Sequence, residues 1–130
     1  LKPGPYESYK YCREITPSLV TLFDGSVASV TALEIAIQIA EENNKPLLVL
    51  LIADDLSTEE RLRKQQNGLW ENHPVVRSSV EVTSTGHIIN ALHRRPINML
   101  IFPGDTQWTQ VDERLRQFIH GLHCPVLLIR

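Results

Sequence analysis

Apolar residues recur along residues 18–130 as short continuous runs that alternate with longer helical stripes. Residues 19–23 form an apolar, β-branched run that ends in Asp-Gly-Ser, a combination typical of a strand followed by a turn. Residues 27–42 then place apolar side chains at steps of three and four, which predicts one face of an α-helix. Either Ser26 or Ser29 can serve as the N-cap of this helix.

The rest of the chain repeats the alternation. Residues 47–53 form a continuous apolar run, typical of a strand covered on both faces, and Asp54-Asp55 after it is predicted as a solvated turn. The sequence Ser-Thr-Glu-Glu at 57–60 has the pattern of a capping box and predicts a polar helix up to about Gly68. Thr85 is predicted to cap a short helix. The remaining predicted elements are a half-covered strand at 76–82, a buried strand at 98–102, a helix with apolar positions from 111 to 122, and a last strand at 126–129.

The predicted order of elements is β-α-β-α-β-α-β-α-β. Because parallel strands joined by helices need right-handed crossovers, this order predicts an α/β domain in which a parallel sheet carries helices on both faces. Ligands of such sheets bind beyond the carboxyl ends of the strands, where the strand order reverses. Residues 1–17 contain three prolines and show no sustained period. We therefore predict an extended leader or linker at 1–17, followed by one domain at 18–130.

Composition narrows the function classes. The 130 residues are 42% apolar and 22% charged, with a formal net charge of −2 and no block of five like charges, which argues against nucleic-acid binding. The longest apolar run is far too short to cross a membrane. Cys12 and Cys124 are predicted to be free thiols of a cytoplasmic protein, although a disulfide between them stays open. No catalytic triad, P-loop or metal-ligand spacing is present, so we expect neither catalytic residues nor a metal.

Three segments resemble a known family. Gly-Leu-His-Cys-Pro-Val-Leu-Leu-Ile-Arg at 121–130 is similar to the ending of universal stress proteins, where a helix leads into a Cys-Pro-Val strand. Gly86, Ile89 and Ala91 ahead of residues 97–104 look like that family's third helix and fourth strand, and residues 19–26 resemble its first strand. The resemblance spans 18–130. It implies a five-stranded sheet of order 3-2-1-4-5, within a Rossmann-like, adenine nucleotide alpha hydrolase-like three-layer sandwich.

The resemblance also implies a nucleotide pocket between the first and fourth strands. Nucleotide-binding members hold adenosine there, and the family's acidic residue matches Asp24. A backbone contact to the base would come from Ile52 or Ala53, and the first glycine of the phosphate loop matches Gly104. Asp24 can instead cap its own turn, and Gly104 can simply serve a tight turn after a strand.

The phosphate loop departs from the family's pattern. Gln107 stands at the second glycine position, and Asp112-Glu113 stands at the closing Gly-Ser position. A phosphate loop needs glycine so that its backbone N–H groups can approach the anion closely. Two carboxylates place negative charge where the phosphates would lie. We therefore predict no cofactor, and no ATP bound in the usual family mode.

The sequence thus favours a non-catalytic stress-response or regulatory module of the universal stress type. One alternative is a member that binds ATP or another adenine nucleotide, with weak ATPase activity. Another is the cytoplasmic sensor domain of a larger protein such as a membrane transporter, for which the proline-rich leader is suitable. The expected partner is a second copy, paired through Val126–Ile129, because a short apolar edge strand leaves N–H and C=O groups unpaired. A protein partner or parent protein is the other option, and the sequence names neither ligand nor signal.

Overall fold

The computed structural model describes residues 18–71, 78–103 and 113–129. These residues form five strands and four α-helices, with a 3-10 turn at Thr85–His87. The strands are β1 Ser18–Phe23, β2 Leu47–Ile52, β3 Ser78–Thr83, β4 Ile97–Pro103 and β5 Val126–Ile129, and the helices are α1 Val27–Asn43, α2 Leu56–Trp70, α3 Ile88–His93 and α4 Glu113–His120.

The five strands form one sheet in the order β3-β2-β1-β4-β5, and all four neighbouring pairs are parallel. This confirms the α/β class and the strand order 3-2-1-4-5 that the resemblance implies. Each strand begins and ends within two residues of its predicted bounds. β3 lies at one edge and is only partly covered, as its alternating pattern predicts.

Two hydrophobic cores lie on opposite faces of the sheet. Successive side chains of β1 alternate between them: Leu19 and Phe23 pack with α1 and α2, whereas Leu22 packs with α3 and α4. All six residues of β2 are buried as well. The continuous apolar runs of the two central strands therefore face a helical layer on each side, which makes the three-layer sandwich.

Helix α1 begins at a serine cap and ends at a left-handed residue. The Oγ of Ser26 accepts the N–H of Ser29 at 3.2 Å, and the Oγ of Ser29 donates to the carbonyl of Ser26 at 2.9 Å. Of the two predicted caps, Ser26 is therefore the N-cap. The helix ends at Asn44, whose φ of 51° lies in the left-handed region that commonly terminates helices.

Helix α2 has a different cap from the predicted one. It begins at Leu56, and the carboxylate of Asp55 accepts the N–H of Thr58 at 2.7 Å. Asp55 has the extended backbone that an N-cap requires, with φ −146° and ψ 165°, so Ser57 already lies in the first turn. The predicted capping box at 57–60 is wrong. The helix is also held more firmly than its polar sequence indicates, because Leu62 is fully buried.

The pH dependence of stability distinguishes these two caps. The backbone hydrogen bond from Thr58, and then the one from its side chain, lower the pKa of Asp55. A lowered folded-state pKa stabilises the protein above the ordinary carboxyl pKa, and this contribution is lost as the pH falls through the folded value. We expect Asp55→Ala to lower the melting temperature at pH 7, and the deficit to shrink towards pH 2. Ser57→Ala should change the melting temperature little at any pH. A large effect of Ser57→Ala together with a small effect of Asp55→Ala would instead support the capping box at 57–60.

Candidate functional site

The carboxyl ends of the central strands meet at one edge of the sheet, called here the carboxyl edge. Phe23 pairs with Leu51, so Asp24 and Ile52 follow at the same level on adjacent strands, and Ala53 comes next. The structure thus places three of the four predicted site residues at neighbouring strand ends. Gly104 lies outside the described residues, as do Gln107 and Asp112.

Asp24 organises the turn after β1. Its Oδ1 accepts the backbone N–H of Ser26 at 2.9 Å, a side-chain turn of the kind that aspartate commonly forms. This bond orients Ser26, which in turn caps α1. Of the two roles predicted for Asp24, the turn role is therefore present in the structure, whereas its contact with a nucleotide stays a prediction.

Ile52 and Ala53 present little surface at this edge. They are 5% and 8% exposed, and the N–H of Ala53 donates to the carbonyl of Thr83 at 2.9 Å. That N–H therefore belongs to the contact between β2 and β3. A nucleotide base at this position could therefore contact other backbone atoms of Ile52 and Ala53, but not this N–H.

Gly25 is covered by helix α2. Its φ is +85°, and a Cβ placed on it would lie 2.9 Å from Cδ2 of Leu62, with the side chains of Gln65 and Arg61 at 3.4 and 3.5 Å. Real Cβ atoms do not approach other atoms so closely. Glycine is therefore required here for two reasons, the left-handed backbone and the contact with Leu62. Sequence reasoning recognised the turn but missed this contact.

A second contact joins the turns that follow β2 and β3. The two carboxylate oxygens of Asp54 accept the backbone N–H and the hydroxyl of Thr85, each at 2.9 Å. Thr85 does not cap the short helix as predicted. It begins the 3-10 turn, His87 holds the N-cap position of α3, and the Thr85 hydroxyl bonds to Asp54. Asp54 is exposed, in accord with a solvated turn, but the sequence did not indicate its partner.

A serine and a histidine lie close together at the carboxyl edge. Ser84 Oγ and His87 Nδ1 lie 2.6 Å apart, but they are three residues apart in one exposed turn, which is typical of turn stabilisation. Within residues 18–71, 78–103 and 113–129, no three His, Cys, Asp or Glu side chains form a group that could hold a metal ion. Among the described residues of this edge, Asp54 bonds to Thr85 and Ser84 bonds to His87.

A groove lies at the opposite, amino edge of the sheet, and is called here the amino-edge groove. It has a volume of about 620 Å³ and lies between the ends of α3 and α4, over the starts of β4 and β5. The rings of His93 and Phe118 meet edge to face within it, with centroids 4.6 Å apart. The described residues that line it are Leu92, His93, Arg95, Pro96, Ile97, Gln117, Phe118, Gly121, Leu122, His123 and Cys124.

Comparison with known proteins identifies the fold. No family model and no curated protein matches the chain in sequence. Among solved structures, a universal stress protein in complex with cAMP superposes with a TM-score of 0.69 at 14% identity, over 88% of this chain and 96% of that one. The chain has the universal stress protein fold.

Two structures from Archaeoglobus fulgidus support the same conclusion. A universal stress protein from this organism gives a TM-score of 0.68 at 11% identity, over 93% of this chain and 98% of that one. A complex with dAMP gives 0.67 at 12% identity, over 89% and 99%. The universal stress protein fold that the sequence resemblance implied is therefore confirmed. Among the described residues, no helix of this fold is long and apolar enough to cross a membrane.

Substitution of two glycines tests the packing of α2 on the turn after β1. We expect Gly25→Ala to destabilise the chain by about 1–3 kcal/mol, since alanine is strained at a positive φ and its methyl meets Leu62. Gly68→Ala is the matched control, because it lies in α2 with nothing within 4 Å of an added Cβ. That variant should gain about 0.5–1 kcal/mol. Urea unfolding measures both, and equal stabilities for the two variants would contradict the packing.

Proposed function

We propose that the chain is a non-catalytic, cytoplasmic regulatory module of the universal stress type that does not hold ATP in the family's usual mode. The observation that carries the proposal is the contact of Leu62 with Gly25 at the end of β1. Leu62 is fully buried, so this contact fills space against the turn that follows β1. In addition, the Asp24 carboxylate accepts the N–H of Ser26 within its own turn.

The sequence of the expected phosphate loop supports the same proposal. Gln107 and Asp112-Glu113 replace the residues that allow close approach of a backbone to an anion. A triphosphate carries several negative charges, and the carboxylates of Asp112 and Glu113 would oppose it by like-charge repulsion. We therefore propose that neither ATP binding nor hydrolysis belongs to this module's function.

Binding of an adenine nucleotide with one phosphate is the second candidate. Two of the similar structures are complexes with cAMP and with dAMP, at TM-scores of 0.69 and 0.67. A single phosphate depends less on a complete phosphate loop than a triphosphate does. Ile52, Ala53 and Asp24 would then contact the nucleoside, as the family resemblance implies.

Thermal denaturation with added nucleotide separates the two candidates. A ligand that binds only the folded state adds about 2.7 kcal/mol of stability at roughly 100 times its Kd. We expect no change in melting temperature with millimolar Mg-ATP. A clear rise with Mg-ATP would contradict the proposal, and a rise with cAMP or AMP alone would favour the second candidate.

If a nucleotide does bind, the substitution Asp24→Asn tests whether it binds at the end of β1. The asparagine side chain keeps an oxygen that can accept the N–H of Ser26, so the turn should persist while the negative charge is removed. Loss of the nucleotide's effect in a variant with unchanged melting temperature would assign binding to the end of β1. An unchanged effect would place the nucleotide elsewhere.

We further propose that two copies pair through β5. This strand is four residues long, lies at the edge of the sheet, and exposes 37% of Leu127 and 47% of Leu128. Two antiparallel copies of such a strand satisfy each other's unpaired backbone groups. The carbonyl of Pro125 accepts the N–H of Leu100. Because backbone groups alternate in direction along a strand, the N–H of Leu127 faces β4 and that of Leu128 faces outward.

The direction of these N–H groups determines which substitution tests the dimer. Leu128→Pro removes an outward N–H while leaving the ladder to β4, so it should convert the dimer to a folded monomer. Leu128→Val keeps the N–H and is the control that should stay dimeric. Light scattering after size exclusion measures the mass, and circular dichroism checks the fold. A parent chain that is monomeric at tens of micromolar would rule the pairing out.

A further inference from the structure

The amino-edge groove lies at the far end of the sheet from the turn after β1, and the function proposed above makes no use of it. Its volume of about 620 Å³ is within the range of roughly 300–1,000 Å³ that small-molecule sites commonly have. Most of the described lining is apolar, with Leu92, Ile97 and Leu122 near the His93–Phe118 ring pair. Such a surface suits an aromatic ligand, whose ring can pack edge to face or offset against the pair.

The charged groups on this lining favour an anion. Apart from the thiol of Cys124, the ionisable side chains among the described lining residues are His93, Arg95 and His123, and none of them is a carboxylate. Arginine stays protonated in proteins, so the groove holds at least one permanent positive charge. A ligand with a negative charge is therefore a better match than one with a positive charge.

The end of helix α4 does little to reverse this preference. Free carbonyls at a helix C-terminus attract cations. Here the carbonyls of Gln117 and Phe118 accept the N–H of Gly121, and that of Ile119 accepts the N–H of Leu122. These carbonyls are therefore already used as acceptors within the chain.

An ion-pair cluster beside the groove has one positive charge in excess. Glu81 of β3 pairs with Arg95 through Oε2, and with Arg94 through Oε1 at 3.4 Å. Two guanidinium groups thus share one carboxylate, and only Arg95 of the two is among the lining residues of the groove. Arg95 can therefore engage a second carboxylate while Arg94 stays paired with Glu81.

Arg95 also has hydrogen-bond donors without a partner. Its Nη2 donates to Glu81, whereas its Nε is buried and has no partner among the described residues. Buried polar groups are nearly always hydrogen-bonded, so an unpaired N–H in a residue that lines a groove points to a missing acceptor. A ligand carboxylate supplies planar acceptors that match a guanidinium group.

We propose that the amino-edge groove binds a small aromatic carboxylate. The carboxylate of the ligand pairs with Arg95, and its ring packs against the His93–Phe118 pair. This site is separate from the carboxyl edge, so it does not depend on whether a nucleotide binds at the end of β1. It gives a regulatory module a place for a small-molecule signal that is not a nucleotide.

Three ligands of one shape and different charge test the site. Phenylacetate, phenylacetamide and phenethylamine carry a negative charge, no charge and a positive charge at pH 7. For a ligand of about ten non-hydrogen atoms we expect phenylacetate to bind with a Kd on the order of 5 mM. Phenylacetamide should bind about tenfold more weakly, because it loses the charge-assisted bond to Arg95, and phenethylamine should not bind. Amide shifts of Leu122, His123 and Cys124 in ¹H–¹⁵N correlation spectra of the full chain measure the binding.

Two neighbouring arginines provide matched variants. Arg95→Gln removes the guanidinium group that lines the groove, so it should weaken phenylacetate binding about tenfold and abolish the preference for phenylacetate over phenylacetamide. Arg94→Gln removes the other partner of Glu81 and should bind phenylacetate as the parent chain does. Because each variant loses one ion pair with Glu81, a difference between them is not explained by the loss of that pair.

The remaining outcomes count against the proposal. Equal affinities for phenylacetate and phenylacetamide would overturn it, as would equal affinities of the two arginine variants. If Arg95→Gln does not fold, the three ligands on the parent chain still decide. The absence of saturable shifts in a folded chain at about four times the expected Kd would also overturn it. Shifts confined to Asp24, Ile52 and Ala53 would place the carboxylate at the carboxyl edge, whereas the nucleotide titrations test the proposed function separately.

Discussion

The two central strands have no face available to water. All six residues of β2 and five of the six in β1 are buried, so each strand must be covered on both sides. Only right-handed crossovers in opposite directions supply helices to both faces, and these place α1 and α2 on one side and α3 and α4 on the other. Each fully buried leucine or valine contributes about 1.5–3 kcal/mol, which makes this arrangement the main source of stability. Because all the strands run in the same direction, the sheet has one edge where the strands begin and another where they end, the amino and carboxyl edges.

The fold could be predicted because its signals are local. The apolar run of β2 and the helical stripe of α1 each lie within one segment of sequence, and their succession fixes the parallel topology. Caps were predicted less well. Ser57 and Asp55 both carry suitable side chains, and the choice depended on the extended backbone of Asp55 as the chain leaves β2. Thr85 was misassigned because its partner, Asp54, is 31 residues away, and no local pattern records that bond.

For the candidate site, too, local features could be predicted from the sequence and tertiary contacts could not. The resemblance located Asp24, Ile52 and Ala53 at strand ends, and the parallel register places them at adjacent ends. What the sequence could not indicate is how the ends are covered. The turn after β1 already explains a glycine at position 25. The sequence therefore gave no sign of its contact with Leu62, which lies in a helix that begins more than thirty residues later. Tertiary packing, rather than the identity of the site residues, therefore limits what the sequence alone can say about a ligand.

The two outer strands of the sheet are held in different ways. β3 is tied at its carboxyl end, where Thr83 accepts the N–H of Ala53 and the next turn is joined to Asp54 through Thr85. β5 has four residues, and its two central leucines are more than one-third exposed. Regions with few buried contacts open without global unfolding. The amide hydrogens of β5 that bond to β4 should thus exchange with solvent through local fraying, whereas those near the carboxyl end of β3 that bond to β2 should exchange more slowly.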